Sequence, residues 1–222
     1  MLSVQQLHKS HRQGETRIDV LKGITLQVRD GETVAIVGAS GGGKSTLLSM
    51  LSGVDRPDQG KIIINEQDTS AFDEDTWTRF RGQHYGIVFQ QFHLIAHLTA
   101  LENVNLALDI LGRSDMKRAE KCLEEVGLSH RMHHRPSQLS GGEAQRVAIA
   151  RALVVEPKIL LADEPSGNLD QQTGEQVMQL LFDLVAKYRS TLVLVTHNIE
   201  LAKRCERVLR LEGGLLTESR AA

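Results

Sequence analysis

The chain has 222 residues, 41% of them hydrophobic, and a formal net charge of −2. This length suits one domain, or one domain that carries an insertion, and the small net charge does not indicate nucleic acid as a partner. The apolar runs are too short to span a membrane and the N-terminus lacks a signal-peptide core. Cys122 and Cys205 have no metal or redox spacing, so we expect reduced thiols in a cytosolic protein.

Strands are predicted in the first part of the chain. Residues 2–7 and 18–28 are typical of strands, and the latter part of residues 18–28 alternates apolar and polar side chains, as a half-exposed strand does. The dipeptide Asp30–Gly31 is typical of a hairpin turn. Residues 33–37 are continuously apolar, which is typical of a strand buried on both faces. With a further short strand at residues 61–65, these segments predict an antiparallel flank beside a buried core strand.

The loop after residues 33–37 has the composition of a phosphate-binding loop. Its residues are Gly38, Ala39, Ser40, Gly41, Gly42, Gly43, Lys44, Ser45 and Thr46. Glycines let the backbone turn tightly and bring its N–H groups close to an anion, and the helix predicted after the loop adds its positive dipole end. Lys44 can supply a mobile charge for the outer phosphates and Ser45 a hydroxyl for Mg²⁺. The sequence therefore predicts that a nucleotide binds here through its phosphates.

A polar helix and another strand are predicted next. Residues 70–82 form the helix, and their tryptophan, Trp77, is expected to pack against a sheet edge. Residues 85–89 form the strand, which ends at Gln90. After that glutamine the character of the sequence changes from mixed to helical.

The helical region is expected to be an insertion in an α/β core. Capping-box sequences begin helices at Thr99 and at Ser140, and the segment between Gln91 and Pro157 contains no predicted strand. We therefore predict one domain whose core comprises residues 1–90 and 157–222, with a helical subdomain at residues 91–156.

A second phosphate site is predicted at the second capping box. Gly141 and Gly142 follow Ser140 in the first turn of a helix, where each glycine costs about 1 kcal/mol relative to alanine. An anion that approaches the backbone closely would explain both glycines. The preceding loop contains a histidine cluster, for which we prefer a solvated loop over a metal site. Its members are His130, His133 and His134.

Acidic and imidazole side chains follow two predicted core strands. Residues 158–162 are predicted to form a buried strand that ends at Asp163 and Glu164, and the strand predicted at residues 191–195 leads to His197. Because ligands of parallel sheets bind at the carboxyl ends of the strands, these side chains are candidates for catalysis beside the phosphate loop.

With these segments in order, the chain resembles an ATP-binding subunit of an ABC transporter along nearly its whole length. The matching motifs are a Walker A loop at residues 38–45, the Q-loop Gln90, a signature at residues 139–143, a Walker B strand at residues 159–163 followed by Glu164, a D-loop at residues 168–170 and the switch His197. Further matches look like the lipoprotein-releasing and macrolide-exporting group. They lie at residues 36–40, 98–104 and 162–170.

The resemblance implies a P-loop NTPase core with a mainly parallel sheet, an antiparallel β flank and an inserted α-helical subdomain. It also implies Mg²⁺-dependent hydrolysis of ATP, with Lys44 and the loop N–H groups on the β- and γ-phosphates. His11 stands where many relatives have an aromatic residue that stacks on adenine.

The remaining roles carried over by the resemblance concern the metal and the attacking water. Ser45 and Gln90 would bind Mg²⁺, with Asp163 behind them. Glu164 would polarise the water, and His197 would bridge the γ-phosphate and a neighbouring subunit.

The expected partners are a second copy of the chain and a membrane permease. Two copies arranged head to tail would place one chain's signature on the other chain's ATP, which makes a nucleotide-sandwich dimer. The resemblance implies a peripheral subunit on the cytoplasmic side of the inner membrane, driving export or extraction from the membrane. A non-transporting regulatory or mechanotransmitting complex stays open as an alternative, whereas a ribosome- or DNA-acting ATPase and a small-molecule kinase are disfavoured.

Overall fold

The structure is a computed structural model, and it describes residues 1–14 and 16–218. Within those residues the strands are β1 (Leu2–Gln13), β2 (Thr16–Val28), β3 (Thr33–Val37), β4 (Gln59–Ile64), β5 (Gln67–Asp68), β6 (Tyr85–Val88), β7 (Ile159–Asp163), β8 (Thr191–Thr196), β9 (Arg207–Glu212) and β10 (Leu215–Glu218). The α-helices are α1 (Lys44–Leu51), α2 (Glu74–His84), α3 (Ala100–Asp109), α4 (Met116–Glu125), α5 (Gly141–Leu153), α6 (Gln171–Tyr188) and α7 (Ile199–Ala202).

The described chain divides into two compact units. The first comprises Met1–Thr78 and the described residues from Thr191 onward, and the second comprises Arg79–Ser190. The predicted subdomain boundaries, which place the helical insertion at residues 91–156, stay a prediction.

The first unit contains antiparallel and parallel strands. Strands β2, β1, β4 and β5 lie side by side in that order and are antiparallel. Strand β3 lies between β8 and β9 and is parallel to both, while β10 pairs antiparallel with β9. The apolar side chains of β3 are almost fully buried, as the continuous run of apolar residues predicts.

The expectation of a hairpin turn at Asp30–Gly31 is wrong. A turn does form there, and Gly31 has a φ of +75°. However, β2 pairs with β1, whereas β3 pairs with β8 and β9, so the turn joins strands of different sheets. A strand buried on both faces needs neighbours on both edges, and that requirement outweighs the local turn signal.

Trp77 is buried in the first unit, as its predicted packing role requires. Its ring meets Phe72 edge to face, with 5.5 Å between the ring centroids. A Cβ atom on Gly53 would lie 2.3 Å from the Trp77 ring, so the glycine after α1 is what lets the indole pack there.

The second unit combines two parallel strands with helices. Strand β6 pairs with β7, and α3 packs against both α4 and α5. Between Gln91 and Pro157 the described backbone contains helices and loops but no strand, as predicted. The capping boxes predicted at Thr99 and Ser140 both form, because each hydroxyl accepts from the backbone three residues on and the glutamate there accepts from the cap.

Candidate functional site

The phosphate loop connects the end of β3 to the start of α1. Gly41 and Gly43 have φ angles of +74° and +91°, in the left-handed region that favours glycine. A Cβ atom on Gly38 would lie 2.3 Å from the carbonyl oxygen of Leu211, and one on Gly43 would lie 2.9 Å from a methyl group of Val20. Backbone conformation and close packing therefore both require glycine in this loop.

Lys44 is the first residue of α1 and only 5% exposed. Its Nζ donates to the carbonyl oxygens of Gly38 and Ala39, both at 3.0 Å. The lysine thus folds back over the loop that precedes it, and its charge lies beside the backbone that would receive an anion. The neighbouring Ser45 is exposed, so its hydroxyl is accessible to a ligand.

His197 leaves the sheet at the same edge as the phosphate loop. The last residues of β3 and β8, Val37 and Thr196, pair directly, so Gly38 and His197 both follow the carboxyl ends of adjacent parallel strands. His197 is exposed, and α7 begins just after it with Asn198 as its N-cap. The structure therefore brings two of the predicted motifs to one edge within the first unit.

His11 lies on β1, opposite Ile18, and its side chain is exposed. Exposure is compatible with stacking on a flat ligand. Its role as an adenine-stacking residue stays a prediction.

The second unit carries Gln90 and the two acids. Val88 at the end of β6 pairs with Ala162 of β7, so Gln90 and the Asp163–Glu164 pair emerge at the same edge. Glu164 has a φ of +44°, which is uncommon for a residue with a side chain and marks backbone strain at a candidate catalytic position. The turn that follows is closed by the N–H of Gly167, which donates to the Glu164 carbonyl at 2.9 Å.

The signature segment is an N-terminal cap with a charged partner. Ser140 is the exposed N-cap of α5, and its N–H donates to the Glu143 carboxylate at 2.8 Å. Arg131 donates to the same carboxylate at 2.9 Å. Accepting from the backbone of Ser140, and then from its hydroxyl and from Arg131, lowers the pKa of Glu143 to about 2, so the carboxylate is charged at neutral pH.

The two signature glycines have a packing explanation that the sequence does not reveal. A Cβ atom on Gly142 would lie 2.4 Å from the Thr173 methyl group, and one on Gly141 would lie 3.2 Å from a methyl group of Leu169. The close approach of Thr173 on α6 therefore already requires glycine at position 142. Gly142 does not need an anion to explain it, and an anion role for Ser140, Gly141 and Gly142 stays a prediction.

One member of the histidine cluster, His134, belongs to the same polar network. The ring of His134 lies 3.1 Å from the Arg131 guanidinium. Across residues 1–14 and 16–218, no group of three or more His, Cys, Asp or Glu side chains could hold a metal ion.

Sequence reasoning missed three residues that hold the chain around Gln90. Asn168 exchanges two hydrogen bonds with Gln90, while Gln145 and Arg151 donate to the carbonyl groups around it. The sequence indicates Asn168 only as part of the D-loop motif. The other two lie on one helix six residues apart, and no local pattern indicates that they point toward a loop more than 50 residues earlier.

The comparisons with known proteins identify the class. A model described as ABC transporter matches residues 21–167, which is more than half of the chain. The chain therefore belongs to the ABC transporter family, as an ATP-binding subunit, and the resemblance inferred from its motifs is confirmed.

Curated relatives match over almost the full length. The chain is 47% identical to an uncharacterized ABC transporter ATP-binding protein, YbbA, of Escherichia coli (strain K12), over 98% of the chain and 97% of the relative. It is 51% identical to the lipoprotein-releasing system ATP-binding protein LolD of Geobacter metallireducens, over 96% of each. Both names fall in the group that the sequence indicates.

Solved structures confirm the α/β fold class. The chain superposes on the dimeric structure of the bacterial ABC transporter cassette MJ0796 with a TM-score of 0.91, at 42% identity over 100% of each chain. The same cassette, also as a dimer, has been solved in a post-hydrolysis state bound to ADP and Pi, again with a TM-score of 0.91.

Proposed function

We propose that this chain hydrolyses ATP as the motor subunit of an ABC transporter, and that two copies close on ATP to drive a membrane permease. The phosphate loop is the observation that carries this proposal. It combines glycines in left-handed conformations, the N-terminus of α1 and a buried lysine whose Nζ lies 3.0 Å from two loop carbonyls. An ATP phosphate would compete with these carbonyls for the lysine.

The chemistry requires positioning and charge stabilisation more than covalent steps. Lys44 and the loop N–H groups hold the β- and γ-phosphates. Glu164 polarises the attacking water, and its positive φ is typical of the strained backbone found at catalytic positions. His197 contacts the γ-phosphate, with the end of β8 holding its backbone.

The donor set fits Mg²⁺. Ser45, Gln90 and Asp163 offer a hydroxyl, an amide oxygen and a carboxylate, which are the hard oxygen ligands that this ion prefers. When bound, Mg²⁺ neutralises charge on the phosphates.

The second copy completes each site. The signature cap, with exposed Ser140 and Gly141, is an anion-binding helix end that the chain's other motifs do not need for binding the phosphates. In a two-fold dimer the cap of one copy contacts the ATP of the other, which gives two equivalent composite sites. The dimers solved for a cassette 42% identical to this chain support this arrangement.

The permease partner follows from the relatives. LolD is named as part of a lipoprotein-releasing system, and a further structural neighbour, cbiO1, as part of an ABC transporter complex. No helix in the described residues is long and apolar enough to cross a membrane. We place the chain peripherally on the cytoplasmic face of the inner membrane, bound to a permease that exports its cargo or extracts it from the membrane.

A subunit-mixing experiment tests the composite site. Lys44→Ala removes the phosphate-binding charge and Ser140→Arg blocks the signature cap, so each variant alone should have no ATPase activity. A heterodimer of the two contains one site in which both motifs are intact, so mixing should restore activity. A mixture that stays as inactive as its components, despite forming heterodimers, would contradict the proposal.

Transport is tested separately from hydrolysis. The permease that pairs with this chain, reconstituted with it, should move or release a cargo only when Glu164 is intact. ATP hydrolysis that is stimulated by the permease but moves no cargo would favour the alternative, a regulatory or mechanotransmitting complex.

A further inference from the structure

The loop that contains Gln90 is held in place through its backbone carbonyls. We define the glutamine loop as residues 89–93, which follow the end of β6 and precede α3. Four of its five carbonyl oxygens accept hydrogen bonds from side chains that are distant in sequence. The pairs are Gln145 Nε2 to Phe89 O at 3.2 Å, Asn168 Nδ2 to Gln90 O at 3.1 Å, Arg151 Nη2 to Phe92 O at 2.9 Å, and Arg151 Nη1 to His93 O at 2.6 Å.

Two of the donors come from the helix that begins with the signature cap. Gln145 is fully buried, and Arg151 is buried enough that desolvation lowers the pKa of its guanidinium. Among the described residues Arg151 forms no ion pair, and its guanidinium donates to the carbonyls of Phe92 and His93. A half-buried cation without a carboxylate partner depends on such dipoles, so the arginine and the loop conformation stabilise each other.

The loop conformation that Arg151 holds is not one that the backbone prefers. His93 has a φ of +48°, in the region that residues with side chains rarely occupy. Its ring also packs against Phe89, with 4.8 Å between the ring centroids. The side-chain donors therefore compensate for local strain in the loop.

Asn168 determines which atom of Gln90 is available for a ligand. The Nε2 atom of Gln90 donates to Asn168 Oδ1 at 3.0 Å, while Asn168 Nδ2 donates to the Gln90 carbonyl. The opposite amide orientation would place two acceptors together. The pair therefore leaves the Gln90 Oε1 atom for other partners. A Cβ atom at Gly167 would lie 2.8 Å from Nε2, so a glycine there gives the amide room.

We propose that Asn168, Gln145 and Arg151 are positioning residues for Gln90. Gln145 and Arg151 fix the glutamine loop to the signature helix α5, and Asn168 orients the amide so that its oxygen is presented to Mg²⁺. The metal role of Gln90 belongs to the proposed function, on which this inference rests. The mechanical consequence is specific: the helix that caps the partner's ATP and the loop that reaches the chain's own metal move together.

Two variants and a control separate this role from ordinary stability. Arg151→Met removes both donors to Phe92 and His93, and Asn168→Ala removes the orienting pair at an exposed position where the fold is not at risk. Arg118→Met is the matched control, because Arg118 lies on α4 of the same unit and pairs with Glu156 at 3.0 Å, not with the loop. Arg151→Lys should restore part of the effect, since one cationic donor remains.

The first measurement is amide hydrogen exchange of the nucleotide-free protein. Arg151→Met should accelerate exchange within the glutamine loop. Exchange should stay unchanged at Ile95, whose N–H is held separately by Asn103 Oδ1 at 2.7 Å. Arg118→Met should leave both regions as in the wild type. If the glutamine loop of Arg151→Met exchanged at the wild-type rate throughout, the proposed role of Arg151 in holding this loop would be wrong.

The second measurement is the Mg²⁺ concentration that gives half-maximal ATPase activity. Loss of a residue that orients a metal ligand typically costs about 10–100-fold in metal affinity or activity. We expect at least a ten-fold rise for Asn168→Ala and Arg151→Met, a smaller rise for Arg151→Lys and none for Arg118→Met. Gln90→Ala serves as the reference.

Gln90→Ala distinguishes the proposed metal role of Gln90 from the proposed positioning role of the residues around it. If Gln90→Ala raises the Mg²⁺ requirement but Asn168→Ala and Arg151→Met do not, the positioning role is wrong and the proposed function stands. If Gln90→Ala leaves the requirement unchanged, the metal role of Gln90 is wrong, and the positioning proposal fails with it.

Discussion

The phosphate loop and the glutamine loop are built in opposite ways. The phosphate loop is stabilised by its own residues: Gly41 and Gly43 adopt left-handed conformations, and Lys44 bonds back to the carbonyls of Gly38 and Ala39. Within the glutamine loop, the rings of Phe89 and His93 pack together, but the hydrogen bonds to its carbonyls come from outside the loop. Its carbonyls are held by side chains that lie between 56 and 78 residues later in the chain.

The difference explains what each loop shows in the sequence. A loop whose conformation is specified locally needs glycines and lysine at fixed spacing, so the pattern itself is diagnostic. A loop held by tertiary contacts needs only the right donors at the right places in the fold. The following predictions test this contrast, beginning with the largest expected effect.

The phosphate loop should tolerate very little added volume at its first glycine. Gly38→Ala would place a methyl group 2.3 Å from the backbone carbonyl oxygen of Leu211, which cannot move without disturbing β9. We expect a loss of about 3 kcal/mol in the free energy of unfolding, measured by urea denaturation.

Gly41→Ala is the matched control in the same loop. Its Cβ would meet nothing within 4 Å, so only the φ of +74° opposes it, and the loss should be about 1 kcal/mol. Equal losses for the two variants would show that backbone conformation, and not packing against β9, limits the loop.

The glutamine loop should be sensitive to a residue outside it. Gln145→Met leaves the carbonyl of Phe89 without its side-chain donor, but it also removes a buried Oε1 atom that has no hydrogen-bond partner among the described residues, so the net cost should be about 1 kcal/mol of unfolding free energy. Gln171→Met is the control, because that exposed glutamine bonds only within its own helix, to Glu175. A loss for Gln145→Met no larger than for the control would mean that the loop does not depend on α5.

The charge on Glu143 in the signature cap should make the free energy of unfolding depend on pH. The pKa of Glu143 falls from its ordinary value of 4.5 in the unfolded chain to about 2 in the folded protein. The charged Glu143 carboxylate therefore contributes fully to the free energy of unfolding above pH 4.5, and this contribution is lost as the pH falls toward 2.

Glu143→Gln keeps an acceptor for the Ser140 N–H and removes the charge. The difference in unfolding free energy between wild type and this variant should shrink as the pH is lowered through that window. A difference that is constant with pH would contradict the role assigned to the charge.

Features that depend on local patterns were predicted from the sequence, whereas features that depend on residues distant in the chain were not. The apolar run of β3, the left-handed glycines of the phosphate loop and both capping boxes are visible within a few consecutive residues, and the structure has them where the sequence indicates. The partners of β2 and β3 depend on which strands complete the sheets, and the hairpin expected at Asp30–Gly31 was wrong for that reason.

The candidate site shows the same limit. Thr173 explains Gly142 by packing, although the two residues are 31 positions apart and the glycine alone suggested an anion. Asn168, Gln145 and Arg151 surround Gln90 only in the folded unit. Their residue types are ordinary for the helix and turn in which they lie, so nothing marks them in the sequence.

The most direct measurement of the central claim is the association state of Glu164→Gln in the presence of ATP and Mg²⁺, determined by sedimentation. Removal of the carboxylate proposed to polarise the attacking water should stop hydrolysis after the two copies have closed on ATP. The account predicts a stable dimer that retains ATP and turns over negligibly. A variant that stays monomeric with ATP and hydrolyses it at the wild-type rate would contradict the account.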